Sequence, residues 1–135
     1  MIRYILILLL AAVVGSSADR AMSIRTAEHY RWGNCCDGWY LVKNERINVI
    51  QEKIPPGSAE ARHLHHKAQQ FFYVLSGEAA LEVDGRLLVL HEREGALVRP
   101  GSAHRMQNMS KRDLEILVTS EPPSQGDRED APAQK

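Results

Sequence analysis

Residues 57–77 read GSAEARHLHHKAQQFFYVLSG, with a glycine at each end. The second half, Gln70 to Leu75, is aromatic and β-branched, which is the composition of a β-strand. Both of its faces are apolar, so it needs a cover on each side. A second sheet supplies one cover. The other comes from tighter packing within a single sandwich or from a second subunit. In the first half, His63 and His65 are one residue apart. On a strand, positions i and i+2 project from the same face with backbones about 7 Å apart, so two imidazoles can converge on one ion. A His-x-His pair alone also describes a solvated loop. On a regular strand His66 points the other way.

Short strand signals extend from this stretch in both directions. Upstream, Arg46 to Ile50 is half alternating and stops at Pro55-Pro56-Gly57. Downstream, Ala79 to Val83 alternates, Asp84-Gly85 supplies a two-residue hairpin turn, and Arg86 to Leu90 returns. Gly95 to Arg99 ends at Pro100-Gly101, and Leu114 to Thr119 is apolar at period two. No stretch keeps the helical apolar spacing behind a cap. Strands about ten residues apart with Gly and Pro between them predict an all-β, antiparallel sandwich or barrel.

Composition removes several classes. Lys plus Arg is 17 and Asp plus Glu is 17, so no net positive field is available for phosphate backbones, and no nucleic-acid partner is expected. With 44% hydrophobic and 25% charged residues, the chain is not wholly disordered. Its two cysteines, Cys35 and Cys36, are adjacent and read as two thiols rather than a disulfide framework. The 135 residues hold one domain with tails.

The tails are read from their flanks. Arg3 precedes an apolar run from Tyr4 to Val14, and Ser16-Ser17-Ala18 precedes Asp19, the pattern of a secretory leader cleaved before Asp19. The rival reading makes Met22 the true start and residues 1–21 an over-extended beginning. The first reading expects a periplasmic or secreted protein, the second a cytoplasmic one. Residues 22–120 form the expected barrel. Residues 121–135 hold three prolines, several charges and no large apolar residue, and read as a disordered C-terminal tail.

Gly57-x5-His63-x-His65-x4-Gln70-x6-Gly77 resembles the first motif of the cupin superfamily. Gly101, His104 and Asn108 keep the register of its second motif, with 15 residues between the motifs. The resemblance implies a small single-domain cupin: one antiparallel double-stranded β-helix, the jelly-roll barrel. It also implies one divalent transition metal ion, of Mn, Fe, Ni, Cu or Zn, held by His63, His65, Gln70 and His104. Three departures stand out. Gln70 replaces the usual Glu, Arg93 stands where the second motif begins with Gly, and Arg99 replaces its first Pro. A neutral oxygen at position 70 leaves the ion its full charge, which favours anionic ligands.

By strand alternation, Phe72 and Met106 are expected to form an apolar substrate-binding wall beside the ion. No general acid or base is evident outside the ligand set. The resemblance implies either a metal-dependent dioxygenase, isomerase or lyase acting on a small anionic or sugar-like molecule, or a non-catalytic module binding such a ligand. A barrel with a vestigial site is the third possibility. The doubly apolar strand predicts a homodimer joined through sheet faces that include Phe71 and Tyr73. Cys36 is expected to pack, and Ser124 to Arg128 resembles a tail ending of small cupins.

Overall fold

The structure is a computed structural model, and it describes residues 20–132. The leader and its cleavage site fall outside the described residues. Among the described residues the regular structure is entirely β, in eleven strands forming two antiparallel sheets. One sheet holds β1 (Glu28–Trp32), β2 (Cys36–Lys43), β3 (Asn48–Ile54), β10 (Leu114–Glu121), β5 (Gln69–Ser76) and β8 (Gly95–Val98), in that spatial order. The other holds β11 (Arg128–Asp130), β4 (His63–His65), β9 (His104–Gln107), β6 (Ala79–Val83) and β7 (Arg86–Leu90).

The alternation read from the sequence sets which side chains turn inward. In β3 and β10 every second residue is buried, from Asn48 to Ile54 and from Leu114 to Ser120. The Asp84-Gly85 turn between β6 and β7 has φ of 47° and 79°, the left-handed pair that suits the strand twist. The sheets meet over Ile54, Phe72, Val74, Leu81, Met106, Leu114 and Ile116, each at most 1% exposed. Burying a side chain of this size stabilises by roughly 1.5–3 kcal/mol.

Cross-strand pairing lines the inner face with three successive rows. The first is Asn48, Ser120, Gln70 and Val98; the second is Tyr40, Ile50, Val118, Phe72 and Ala96; the third is Tyr30, Gly38, Glu52, Ile116 and Val74. Two ends of the chain differ from the sequence reading. The stretch before Arg46, for which the sequence predicts no strand, supplies β1 and β2 to the larger sheet. The disordered tail is also corrected, because β11 pairs with β4, Arg128 with His65 and Asp130 with His63. Composition concealed this, since β11 is exposed and held by backbone and polar contacts rather than apolar burial.

Among the described residues, nothing fully covers the outer face of β5. Phe71 is 42% exposed, and its cross-strand neighbour Leu97 is 51% exposed.

Candidate functional site

Strands β4 and β9 lie side by side, with His63 directly opposite His104. His65 follows on the same face of β4. All three imidazoles are buried, and their ligand atoms lie within 4.8 Å of one another. Ring centroids are 5.0 Å apart for His63 and His65, 4.3 Å for His63 and His104, and 5.8 Å for His65 and His104. His66 turns outward, as alternation requires, and pairs with Glu129 at 2.7 Å.

Each ring is locked from behind by a backbone carbonyl. His63 Nδ1–H donates to Ala61 O at 2.9 Å, His65 Nδ1–H to Asp127 O at 3.1 Å, and His104 Nδ1–H to Ser102 O at 3.0 Å. A carbonyl only accepts, so each Nδ1 carries the proton and each Nε2 presents a bare lone pair. Burial holds all three pKa values below the usual histidine range, His63 down to about 3, and the positive charge of Arg128 adds to the effect. The rings are therefore neutral at neutral pH, the form that binds metals.

Gln70 completes the picture. Its Nε2 donates to Ser120 Oγ at 3.0 Å, which turns Oε1 to face His104 Nε2 at 2.9 Å. With Nδ1 as the protonated nitrogen of His104, two lone pairs face each other there. Neutral acceptors facing at that distance repel, and a cation bound among them converts the repulsion to coordination. The donor set of three imidazole nitrogens and one amide oxygen thus fits a metal ion. The four residues named from the motifs are brought together.

Phe72 and Met106 are not part of the wall expected of them. They are 1% and 0% exposed, lie in the core, and do not line the cavity. Phe72 instead meets the His104 ring edge-on at 5.8 Å, bracing it. The alternation was read correctly, but these two inward positions face the opposite sheet rather than open space. Cys36 packs in the core as a thiol, with burial raising its pKa to about 11.

The open space is a cavity of about 520 Å³ that includes His63, His65 and Gln70 and runs along the inner face of β3. Its walls carry groups the sequence reading did not find: Tyr30, Glu52, Glu60 and Arg128. Tyr30 is in β1 and Glu52 in β3, with β2 between them. Gly38, the intervening residue in that row, has no Cβ. A Cβ there would overlap the Tyr30 ring, so the ring lies across the glycine and its hydroxyl donates to Glu52 Oε1 at 2.9 Å. Burial, together with the charge of Glu60, pushes the Glu52 carboxyl above the usual carboxylate range. Burial raises Glu60 too, against the bond its carboxylate accepts from Met106 N–H at 3.0 Å. No local pattern signals these carboxyls, because they meet the site only through sheet pairing.

The C-terminal segment closes one side of the cavity. Asp127 accepts hydrogen bonds from the backbone N–H groups of His66, Lys67 and Ala68 at 3.1, 2.9 and 2.8 Å. Gln125 donates to the Tyr40 hydroxyl at 2.8 Å and accepts from the Asn48 amide. Arg128 donates to Ala61 O at 3.4 Å and pairs with Asp130 at 3.3 Å, which places a guanidinium with one carboxylate partner beside the histidines.

The fold and site together define a jelly-roll barrel with a buried histidine cluster able to hold a metal ion. The chain belongs to the cupin family: residues 50–120 match the cupin domain. It is 30% identical over 94 residues to a mannose-1-phosphate guanylyltransferase of Klebsiella pneumoniae, an alignment covering 69% of this chain but only 19% of that protein. The barrel is similar to that of a predicted oxalate decarboxylase from Thermotoga maritima, with TM-score 0.70 and 20% identity over 77% of this chain and 100% of the other. It is also similar to the polyketide cyclase RemF from Streptomyces resistomycificus, with TM-score 0.72 and 14% identity over 86% of this chain and 87% of the other.

Proposed function

We propose that this cupin is a metal-dependent enzyme of the isomerase or lyase kind, acting on a small organic anion. The observation that carries the reading is the convergence of three lone-pair nitrogens and the Gln70 oxygen with no proton donor among them. His63, His65, His104 and Gln70 would hold one divalent transition metal ion, which when bound supplies Lewis-acid polarisation of a substrate oxygen. Arg128 adds a positive charge at the same wall and draws an anionic group toward the site. Glu60, three residues before His63 in the cavity wall, favours proton-transfer chemistry over dioxygenation. A carboxyl held protonated near neutrality can give up a proton to one substrate atom and recover one from another. Phe72 packs against the His104 ring and shields that side of it from water.

The test is elemental analysis of protein purified without chelator, beside His104→Ala. Close to one ion per chain in the parent and none in the variant is expected. No metal in the parent, with no stability gain on adding divalent ions, would overturn the reading.

Two further proposals concern assembly and location. The exposed pair Phe71 and Leu97 supports a homodimer through the outer face of β5 and β8. The Tyr4 to Val14 run supports a periplasmic or secreted protein, and N-terminal sequencing starting at Met22 would favour the cytoplasmic alternative.

A further inference from the structure

The cavity is long, and its two ends differ chemically. The histidine end shares its row with Asn48, Ser120 and Gln70. Glu52 stands four residues from Asn48 along β3, a distance of roughly 13 Å of strand. Between these ends the wall carries the apolar side chains of Ile50 and Val118, with Tyr40 beside Ile50 and its hydroxyl engaged by Gln125. At the far end Glu52 is only 7% exposed. One of its oxygens accepts from Tyr30, while Oε2 has no hydrogen-bond partner among the described residues although Glu52 lines the cavity. The atom is open to the cavity, so a hydroxyl group entering there can pair with it.

The surrounding groups specify that group. Facing Glu52 are Tyr30 from β1, Cys36 from β2, and Glu60 from the segment before β4, with Tyr40 of β2 beside Tyr30 and Arg128 of β11 beside Glu60. Carboxyls and phenols offer both donors and acceptors at close spacing, which matches neighbouring alcohol groups. A second anion would be repelled there, and a plain hydrocarbon would leave the oxygens unpaired. The histidine end, with Arg128 at its wall, suits a carboxylate.

We propose that the Tyr30–Glu52–Glu60 end of the cavity is a subsite for the hydroxylated tail of an acid whose carboxylate lies at the histidines, so that the pocket takes a polyhydroxy acid of about five or six carbons. The proposal rests on the metal reading above, since the bound ion anchors the head. A two-carbon acid reaches only one end.

The test uses the full chain loaded with zinc and calorimetric titration with three probes. Glycolate carries a 2-hydroxy-carboxylate head with no tail; D-gluconate and D-galactonate carry the same head with a tail. At least one tailed acid is expected to bind about ten-fold or more tightly than glycolate. Tyr30→Phe, which keeps the ring, and Glu52→Leu should each remove most of that advantage without changing glycolate affinity or zinc content. Retained zinc with neither tailed acid tighter than glycolate would overturn the subsite alone. So would variants that keep the full advantage. Failure to retain zinc would overturn the metal reading, and the subsite with it.

Discussion

Ser120 anchors one end of the Gln70 amide while the other end faces His104. The serine hydroxyl, fully buried in β10, accepts the Gln70 amide N–H at 3.0 Å, and the Gln70 carbonyl oxygen lies 2.9 Å from His104 Nε2. Ser120→Ala frees the amide to rotate. Metal affinity is expected to fall about ten-fold, the usual cost of losing an orienting contact behind a ligand, as measured by competition with a chelator.

Gln70→Glu should act in the opposite direction. A carboxylate in place of the amide oxygen adds a negative charge beside a divalent ion, offset in part by its own desolvation. A gain of about 1–3 kcal/mol is expected, or about ten-fold to a hundred-fold tighter binding. Equal affinities in titrations of the two apo-proteins would place Gln70 outside the coordination shell. Any turnover should fall, because bound water becomes less acidic.

Glu52 has a pH signature. Its folded-state pKa is raised by burial and by the Glu60 charge, so the neutral carboxyl's contribution to stability is fully present below the ordinary carboxyl range and lost as pH rises through the folded-state value. Glu52→Gln stays neutral and still accepts from Tyr30. Metal-free Glu52→Gln should melt close to wild type at about pH 4 and several degrees higher at about pH 9. A constant difference across that range would show that Glu52 ionises normally.

Arg93 occupies a left-handed conformation, with φ of 67°. It stands where the second cupin motif begins with glycine, so the departure noted in the sequence carries a backbone cost of about 1 kcal/mol. Arg93→Gly is expected to raise the melting temperature by a few degrees. An unchanged or lower value would mean that contacts of the arginine side chain offset the strain.

Assembly is checked by light scattering. A dimer mass at micromolar concentration is expected for the native chain. Leu97→Lys, which places a charge in the exposed apolar patch beside Phe71, should give a monomer that stays folded. A native monomer would set the interface aside.

The clustering of His63, His65, Gln70 and His104 was legible because they sit in two short motifs whose spacing survives in one dimension. The hairpin at Asp84-Gly85 and the alternation of β10 were legible for the same reason. The rest depends on pairing between distant segments. Tyr30 and Glu52 meet across 22 residues, Gln70 and Ser120 across 50, and His65 and Asp127 across 62. Phe72 and Met106 had the right facing, but strand alternation does not tell a cavity wall from a packed core. The tail was misread because β11 has no apolar content to signal it, and what holds it is backbone pairing and the Asp127 carboxylate.

The bond between Asp127 and His65 makes the site depend on a segment that holds none of its candidate ligands. The strand that carries His63 and His65 has β11 as its outer neighbour, and the Asp127 carbonyl sets the tautomer of the His65 ring. Cleavage between Ala68 and Asp127 in a surface loop would leave this contact in place, whereas removal of residues 124–132 would strip it, with the three backbone bonds to the Asp127 carboxylate, and leave every candidate ligand untouched.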